Sequence, residues 1–171
     1  MIHNLSHPKG NSVNSNIPSS FCAVSYETID DCINIVAKLG KDCLIAKADV
    51  KDAFYVIRIG KHSFYLLGFF WDGKYYFYTT LPMGLSISCQ VFERLSTAIQ
   101  WILVTKLGIK NVSHILDDFM VFGLPTTNDC KMSFLKFFEL SKILGLPFRK
   151  KKLFGQLQKL FFMVFFLILQ Q

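Results

Sequence analysis

Two short apolar runs, Ser113-His114-Ile115-Leu116 and Phe119-Met120-Val121-Phe122, are separated only by a pair of adjacent carboxylates, Asp117 and Asp118. β-Branched and aromatic runs split by two residues predict a tight hairpin, so both acids are expected at its tip. Successive side chains of a strand point to opposite faces, whereas two neighbours in a turn can face the same space. Like charges held that close repel unless a proton or a divalent cation lies between them. A third acid, Asp49, follows the run Cys43-Leu44-Ile45-Ala46-Lys47-Ala48 and is expected to reach the same place from a neighbouring strand. Three oxygen ligands at strand ends suit a hard cation such as magnesium or manganese. Taken singly, each acid also fits an ordinary turn, since Asp-Asp is a common turn dipeptide.

At 171 residues the chain is long enough for one domain with a real core and hardly for two. Half of it is hydrophobic, with 18 Phe, which excludes a disordered tail. The net charge of +7 makes a polyanion a plausible partner. Its densest spot, Arg149-Lys150-Lys151-Lys152, also fits a solvated loop after a helix. Five cysteines (Cys22, Cys32, Cys43, Cys89, Cys130) are scattered and odd in number, and His3, His7, His62 and His114 form no cluster with them. A zinc site and a disulfide framework are therefore not expected. The start lacks the charged-then-apolar pattern of a signal peptide, so an intracellular, reducing compartment is expected. The longest apolar run, residues 160–169, has ten residues. A bilayer core needs about twenty, so this run is expected as a buried strand or hairpin, with no membrane partner.

Residues 1–25 are polar and read as loop. Thr28 and Asp31 have capping-box spacing, and Ile29, Ile33, Val36 and Ala37 repeat at helical period up to a stop at Gly40. A strand over 43–48 then delivers Asp49. Residues 55–59 and 63–70 are expected to be extended, and Trp71-Asp72-Gly73-Lys74 turns the chain into a second strand over 75–80. A long helix is expected from Ser86, its cap, to Gly108, with Ile87, Val91, Leu95, Ile99 and Ile102 on its inner face. After the carboxylate hairpin over 112–123, another helix is expected over 127–144, with Phe134, Phe137, Phe138, Leu140 and Leu144 inward and Gly145 as its stop. Helices alternating with hairpins predict an α+β domain with an antiparallel sheet.

In order along the chain stand Lys47-Ala48-Asp49-Val50-Lys51-Asp52-Ala53-Phe54, Leu81-Pro82-Met83-Gly84-Leu85, Ile115-Leu116-Asp117-Asp118, and Gly145 followed by Lys152. Their order and spacing resemble the palm of a reverse transcriptase. Further segments resemble the DIRS-like branch of retrotransposon polymerases: Ile2-His3-x-Leu5-Ser6-x-Pro8-x-Gly10-x-Ser12-Val13-Asn14, Trp71-Asp72-Gly73-Lys74-Tyr75-Tyr76 and His114-x-Leu116-Asp117-Asp118-Phe119.

The resemblance implies an RNA-directed DNA polymerase that joins dNTPs to a primer 3′-hydroxyl on an RNA or DNA template, with two magnesium or manganese ions. It implies Asp49, Asp117 and Asp118 as metal-site and catalytic acids, with Asp118 in a supporting role. Lys152, near the leaving pyrophosphate, is implied as a general acid, its register uncertain by a residue or two beside Lys150 and Lys151. Phe54 would be the ring set against a ribose 2′-hydroxyl. Asp52, Pro82, Met83 and Gly84 would contact the substrate, Gly84 by letting the backbone come close. Each also has an ordinary use: Phe54 as one core ring of 18, Pro-x-Gly as a turn before a helix, Asp52 as a helix-start cap.

The same resemblance implies partial fingers over about 1–24 and 57–84 and palm over about 25–56 and 85–171, with thumb and RNase H absent, as in a fragment of a retroelement polyprotein. Several positions depart from the family pattern. Ile115 stands where an aromatic ring usually precedes x-Asp-Asp, Cys89 where proline is expected, Arg58 where a strand usually carries proline, and Phe162-Met163-Val164 where Phe-Leu-Gly is expected. These departures favour a rival reading, an inactive relic that at most binds nucleic acid. A phosphohydrolase built on Asp49 leaves the 81–85 motif and the Asp117-Asp118 tip without a role.

Overall fold

The structure, a computed structural model, describes residues 3–40 and 42–154, with the backbone alone over 150–154. The chain divides into two compact units. One is made by residues up to Ser25 together with Asp52–Leu95, the other by Tyr26–Lys51 together with the residues from Ser96 onward. Elements are mixed α and β, and all strand pairing is antiparallel.

The second unit is built on a four-stranded sheet. Its strands are β1 (Leu44–Val50), β4 (Val112–Ile115), β5 (Asp118–Gly123) and β6 (Phe148–Phe154), in the order β4-β5-β1-β6. Alternation along β1 sets the two faces: Ala46, Ala48 and Val50 are buried, while Lys47 and Asp49 between them are half-buried. Helix α3 (Asp129–Ile143) packs on the first face, where Phe137 meets Phe119 at 5.1 Å and Phe148 at 4.7 Å between ring centroids. On the other face Cys43, Ile45 and Phe122 are covered by Cys32, Ile35, Val36 and Leu39 of α1 (Ile29–Leu39). Lys47 and Asp49 lie further along that face.

Helix α1 starts on the expected capping box. The Asp31 amide donates to Thr28 Oγ1 at 3.4 Å, and the Thr28 amide donates to Asp31 Oδ2 at 2.7 Å. The Thr28 amide bond first, and then the bond that Thr28 Oγ1 donates to Asp31 Oδ2 at 2.8 Å, hold the Asp31 carboxyl below its ordinary pKa. Its packed stripe differs from the expected one, because Ile29 and Ile33 are each 44% exposed and the flank beside them does the packing.

A comparable rotation occurs in α2 (Ser88–Thr105). Its buried residues are Ser88, Phe92, Glu93, Ser96, Ile99 and Leu103; Ile99 is as expected, and the rest of the stripe is rotated round from the expected one. Two serines occupy this face, so hydrophobicity alone could not outline it. Leu144, expected inward, is 43% exposed just beyond α3. The basic run, for which a solvated loop was the alternative reading, is part of β6, and a register shift opposite Ala46 and Ala48 falls at residues 151–152.

In the first unit, β2 (Gly68–Trp71) and β3 (Lys74–Phe77) form the expected hairpin. Its turn residues, Asp72 and Gly73, both have positive φ, +46° and +72°. Cross-strand ring pairs stabilise it, Phe69 with Tyr76 at 5.4 Å and Phe70 with Tyr75 at 4.9 Å. Ahead of it, Ala53–Val56 and Lys61–Leu67 are 3-10 turns rather than extended chain. In the second turn the inward residues are Phe64 and Leu67, three apart, which suits three residues per turn and not strand alternation. Among the described residues no helix is long and apolar enough to cross a membrane. The 160–169 run and Phe162-Met163-Val164 lie outside the described residues.

Gly123 ends β5 directly beneath α3. A Cβ placed there would come within 2.5–2.9 Å of the Cys130 amide nitrogen, Cβ and Cα. Gly123→Ala should therefore lower stability by about 1–3 kcal/mol, read as a drop in the midpoint of urea unfolding. An unchanged midpoint would mean that α3 is not seated on β5.

Candidate active site

The carboxylates gather where the hairpin of β4 and β5 meets β1. Asp118 opens β5 and lies opposite both Ile115 and Asp49, while Asp49 lies opposite Arg149 on its other side. Residues directly opposite on neighbouring strands share a face, so Asp118, Asp49 and Arg149 form one row. The hairpin turn is therefore Leu116-Asp117, not Asp117-Asp118. Leu116 sits at φ +51°, a region that a branched residue adopts only at a cost. Two bonds hold the turn: the Val50 amide donates to the Asp117 carbonyl at 2.9 Å, and Ser96 Oγ donates to the Leu116 carbonyl at 2.7 Å.

Asp117 and Asp49 meet side chain to side chain through a hydrogen bond. Burial raises the Asp117 pKa first, and the Asp118 charge and the Asp49 contact add to it, opposed by Asp117's own backbone amide. Two carboxyl groups sharing a proton is one answer to like charges at close range. Asp118 has another. Its Oδ2 is 2.7 Å from Lys47 Nζ, two residues before Asp49 on the same face. Its Oδ1 is buried with no hydrogen-bond partner among the described residues.

The three acids were expected to converge, but among the described residues no group of three His, Cys, Asp or Glu is placed to hold a metal ion. Lys47 draws Asp118 aside, which leaves a pair. An oxygen-only pair with a neighbouring unpartnered carboxylate oxygen fits a hard cation that takes its other ligands from elsewhere.

The remaining expected residues stand as follows. Lys152 is on β6 at its register shift. Phe54, Asp52, Pro82, Met83 and Gly84 belong to the first unit. Phe54 is half-buried and edge-on to Phe92 at 5.6 Å. Asp52, at φ +55°, makes no side-chain cap to the turn after it, and its carbonyl accepts from the Tyr55 amide at 2.8 Å. Pro82 is buried, with its carbonyl bonded to Ser88 Oγ at 2.8 Å, while Met83 is 39% exposed. Gly84 has φ +92°, which favours glycine there.

Sequence reasoning missed several residues. Asn14 Nδ2 donates to the Gly84 carbonyl at 2.8 Å, and Asn14 Oδ1 accepts from the Ser86 amide at 2.9 Å, so one side chain bridges the end of the Pro-x-Gly turn and the segment leading into α2. Ser86, expected as a helix cap, precedes α2 by two residues, and its Oγ accepts from the Cys22 thiol. Tyr55, Phe69, Trp71, Tyr76 and Tyr78 line a cleft of about 390 Å³ in the first unit. Lys47 and Ser96 carried no signal beyond their residue types.

Neither a protein-family model nor a curated protein sequence matches the chain. Its fold does match solved structures. The foamy viral protease-reverse transcriptase in complex with dsDNA superposes with a TM-score of 0.62 at 22% identity, over 78% of this chain and 26% of that one. A related structure of that protein with dsDNA gives 0.62 at 23%, over 85% of this chain and 24% of that one. A mutant of the prototype foamy virus enzyme gives 0.60 at 24%, over 81% and 17%. The chain has a reverse-transcriptase-like fold. It spans about a quarter or less of the length of these structures.

Because the folded state raises the Asp117 pKa, it binds a proton more readily than the unfolded chain does. Without divalent cations, Asp117 therefore favours folding fully below the ordinary carboxylate range, and that contribution is lost as pH rises through the raised value. Asp117→Asn should flatten this part of the stability-against-pH curve. A variant that kept the wild-type slope would show that Asp117 does not carry the raised pKa.

Proposed function

We propose that this chain is the polymerase core of a retroelement reverse transcriptase, adding dNTPs to a primer 3′-hydroxyl on an RNA or DNA template. The observation that carries this is the side-chain meeting of Asp49 and Asp117 at one end of a sheet with a reverse-transcriptase-like fold. Magnesium sites in such enzymes use one or two carboxylates and leave the other positions to water and substrate phosphates. Two divalent ions, when bound, would stabilise the attacking and leaving oxygens of an in-line displacement. Asp49 and Asp117 would hold them. Asp118, steadied by Lys47, adds negative charge beside the pair without competing with it for position.

On the motif resemblance, Lys152 supplies a proton to the leaving pyrophosphate and Phe54 excludes a ribose 2′-hydroxyl. Asp52, Pro82, Met83 and Gly84 contact the nucleotide. On the same basis we assign residues of about 1–24 and 57–84 to the fingers and of about 25–56 and 85–171 to the palm, and the chain to the DIRS-like branch. Thumb and RNase H segments of the same polyprotein would then be its partners in the working enzyme. The solved neighbours that hold dsDNA support a nucleic-acid partner.

The test is primer extension with magnesium or manganese, run on the chain and on Asp49→Asn and Asp117→Asn variants. We expect deoxynucleotide addition by the wild type and none above background by either variant. Wild-type protein that binds primer-template yet extends nothing would favour the relic reading, in which the departures at Ile115 and Cys89 have removed the activity.

A further inference from the structure

The turn that carries Asp117 stores strain, and a side chain from another element holds it. Leu116 at φ +51° is in the left-handed region, which an L-residue adopts only at a cost. The bond from the Val50 amide to the Asp117 carbonyl is backbone to backbone and asks nothing of the side chains. The bond from Ser96 Oγ to the Leu116 carbonyl does. Ser96 lies inside α2 with no exposed surface, at 2.7 Å from its acceptor.

A hydroxyl inside a helix ordinarily returns to a carbonyl about one turn back. Thr105 Oγ1 does this to Trp101 at 2.6 Å, and Ser141 Oγ to Phe138 at 2.6 Å. Ser96 instead reaches twenty residues along the chain to the strained peptide. We infer that Ser96 is a positioning residue whose hydroxyl clamps the Leu116 peptide so that the Asp117 carboxylate meets Asp49. The inference deepens the two-carboxylate reading above and rests on it. A purely structural serine, present only because a small side chain lets α2 approach the sheet, would be replaced by alanine without effect on the acids. Alanine is smaller and the better helix former, so the helix itself is kept.

The experiment is a manganese titration of the full chain, with free Mn2+ followed by electron paramagnetic resonance. We compare the wild type with Ser96→Ala, Ser96→Cys and Ser141→Ala. Ser141 is equally a buried helix serine bonded to a carbonyl, but its acceptor is in its own helix. Ser96→Ala should weaken Mn2+ binding by about tenfold or more, as loss of a group that orients a ligand does. Ser141→Ala should leave it within about twofold. Ser96→Cys keeps the size but donates weakly, so it should also lose affinity, and it serves if the alanine variant does not fold. Folded Ser96 variants that bind Mn2+ like the wild type would overturn the clamp while leaving the two-carboxylate reading intact. Wild-type protein that binds no Mn2+ would overturn that reading, and the clamp with it.

Discussion

Everything at the candidate site turns on the repulsion between carboxylates brought to one end of a sheet. The apolar face decides that they are brought there. Ala46, Ala48 and Val50 are buried along β1, and Phe119 and Val121 along β5, and these residues fix the register that sets Asp49 opposite Asp118. A slip of one residue would turn Asp49 into the core and expose the alanines, so hydrophobic burial enforces the acids' placement. The core thus does for the site what the acids would not do for themselves.

Features governed by neighbours in sequence were legible. The Thr28 and Asp31 capping box, the Asp72-Gly73 hairpin and the strand that carries Asp49 each depend on a few adjacent residues with one favoured geometry. Helix orientation was less legible. The inner face of α2 runs through Ser88 and Ser96, whose hydroxyls find carbonyl acceptors and are buried for that reason. Hydrophobicity ranks them as surface and rotates the expected stripe. The basic run after α3 also fitted a loop by its charge, while its pairing with β1 makes it an outer strand among the described residues. Edge strands are often basic, since charge there discourages unwanted pairing.

The acids of the site were legible from composition and spacing, because a hairpin between apolar runs leaves few places for Asp117 and Asp118. What each acid does with its charge was not. The partner of Asp118 is 71 positions away and is a lysine in the strand that carries Asp49. Ser96 reaches Leu116 from a different element altogether. Long-range polar pairs leave no periodic trace, so the expected three-acid cluster resolves into a pair and an ion pair only once the strands are assembled.

That division has an energetic logic. The side chains of Lys47 and Asp118 are 31% and 40% exposed, so solvent screens their attraction and the pair contributes about 0–1 kcal/mol to folding. Such a bond is too weak to hold the sheet together, and the core already does so. Its consequence lies at the site: Lys47 holds one oxygen of Asp118, while Asp117 and Asp49 meet each other. Asp117 and Asp49 are left as a carboxyl pair in contact, and burial, with the neighbouring Asp118 charge, raises the Asp117 pKa.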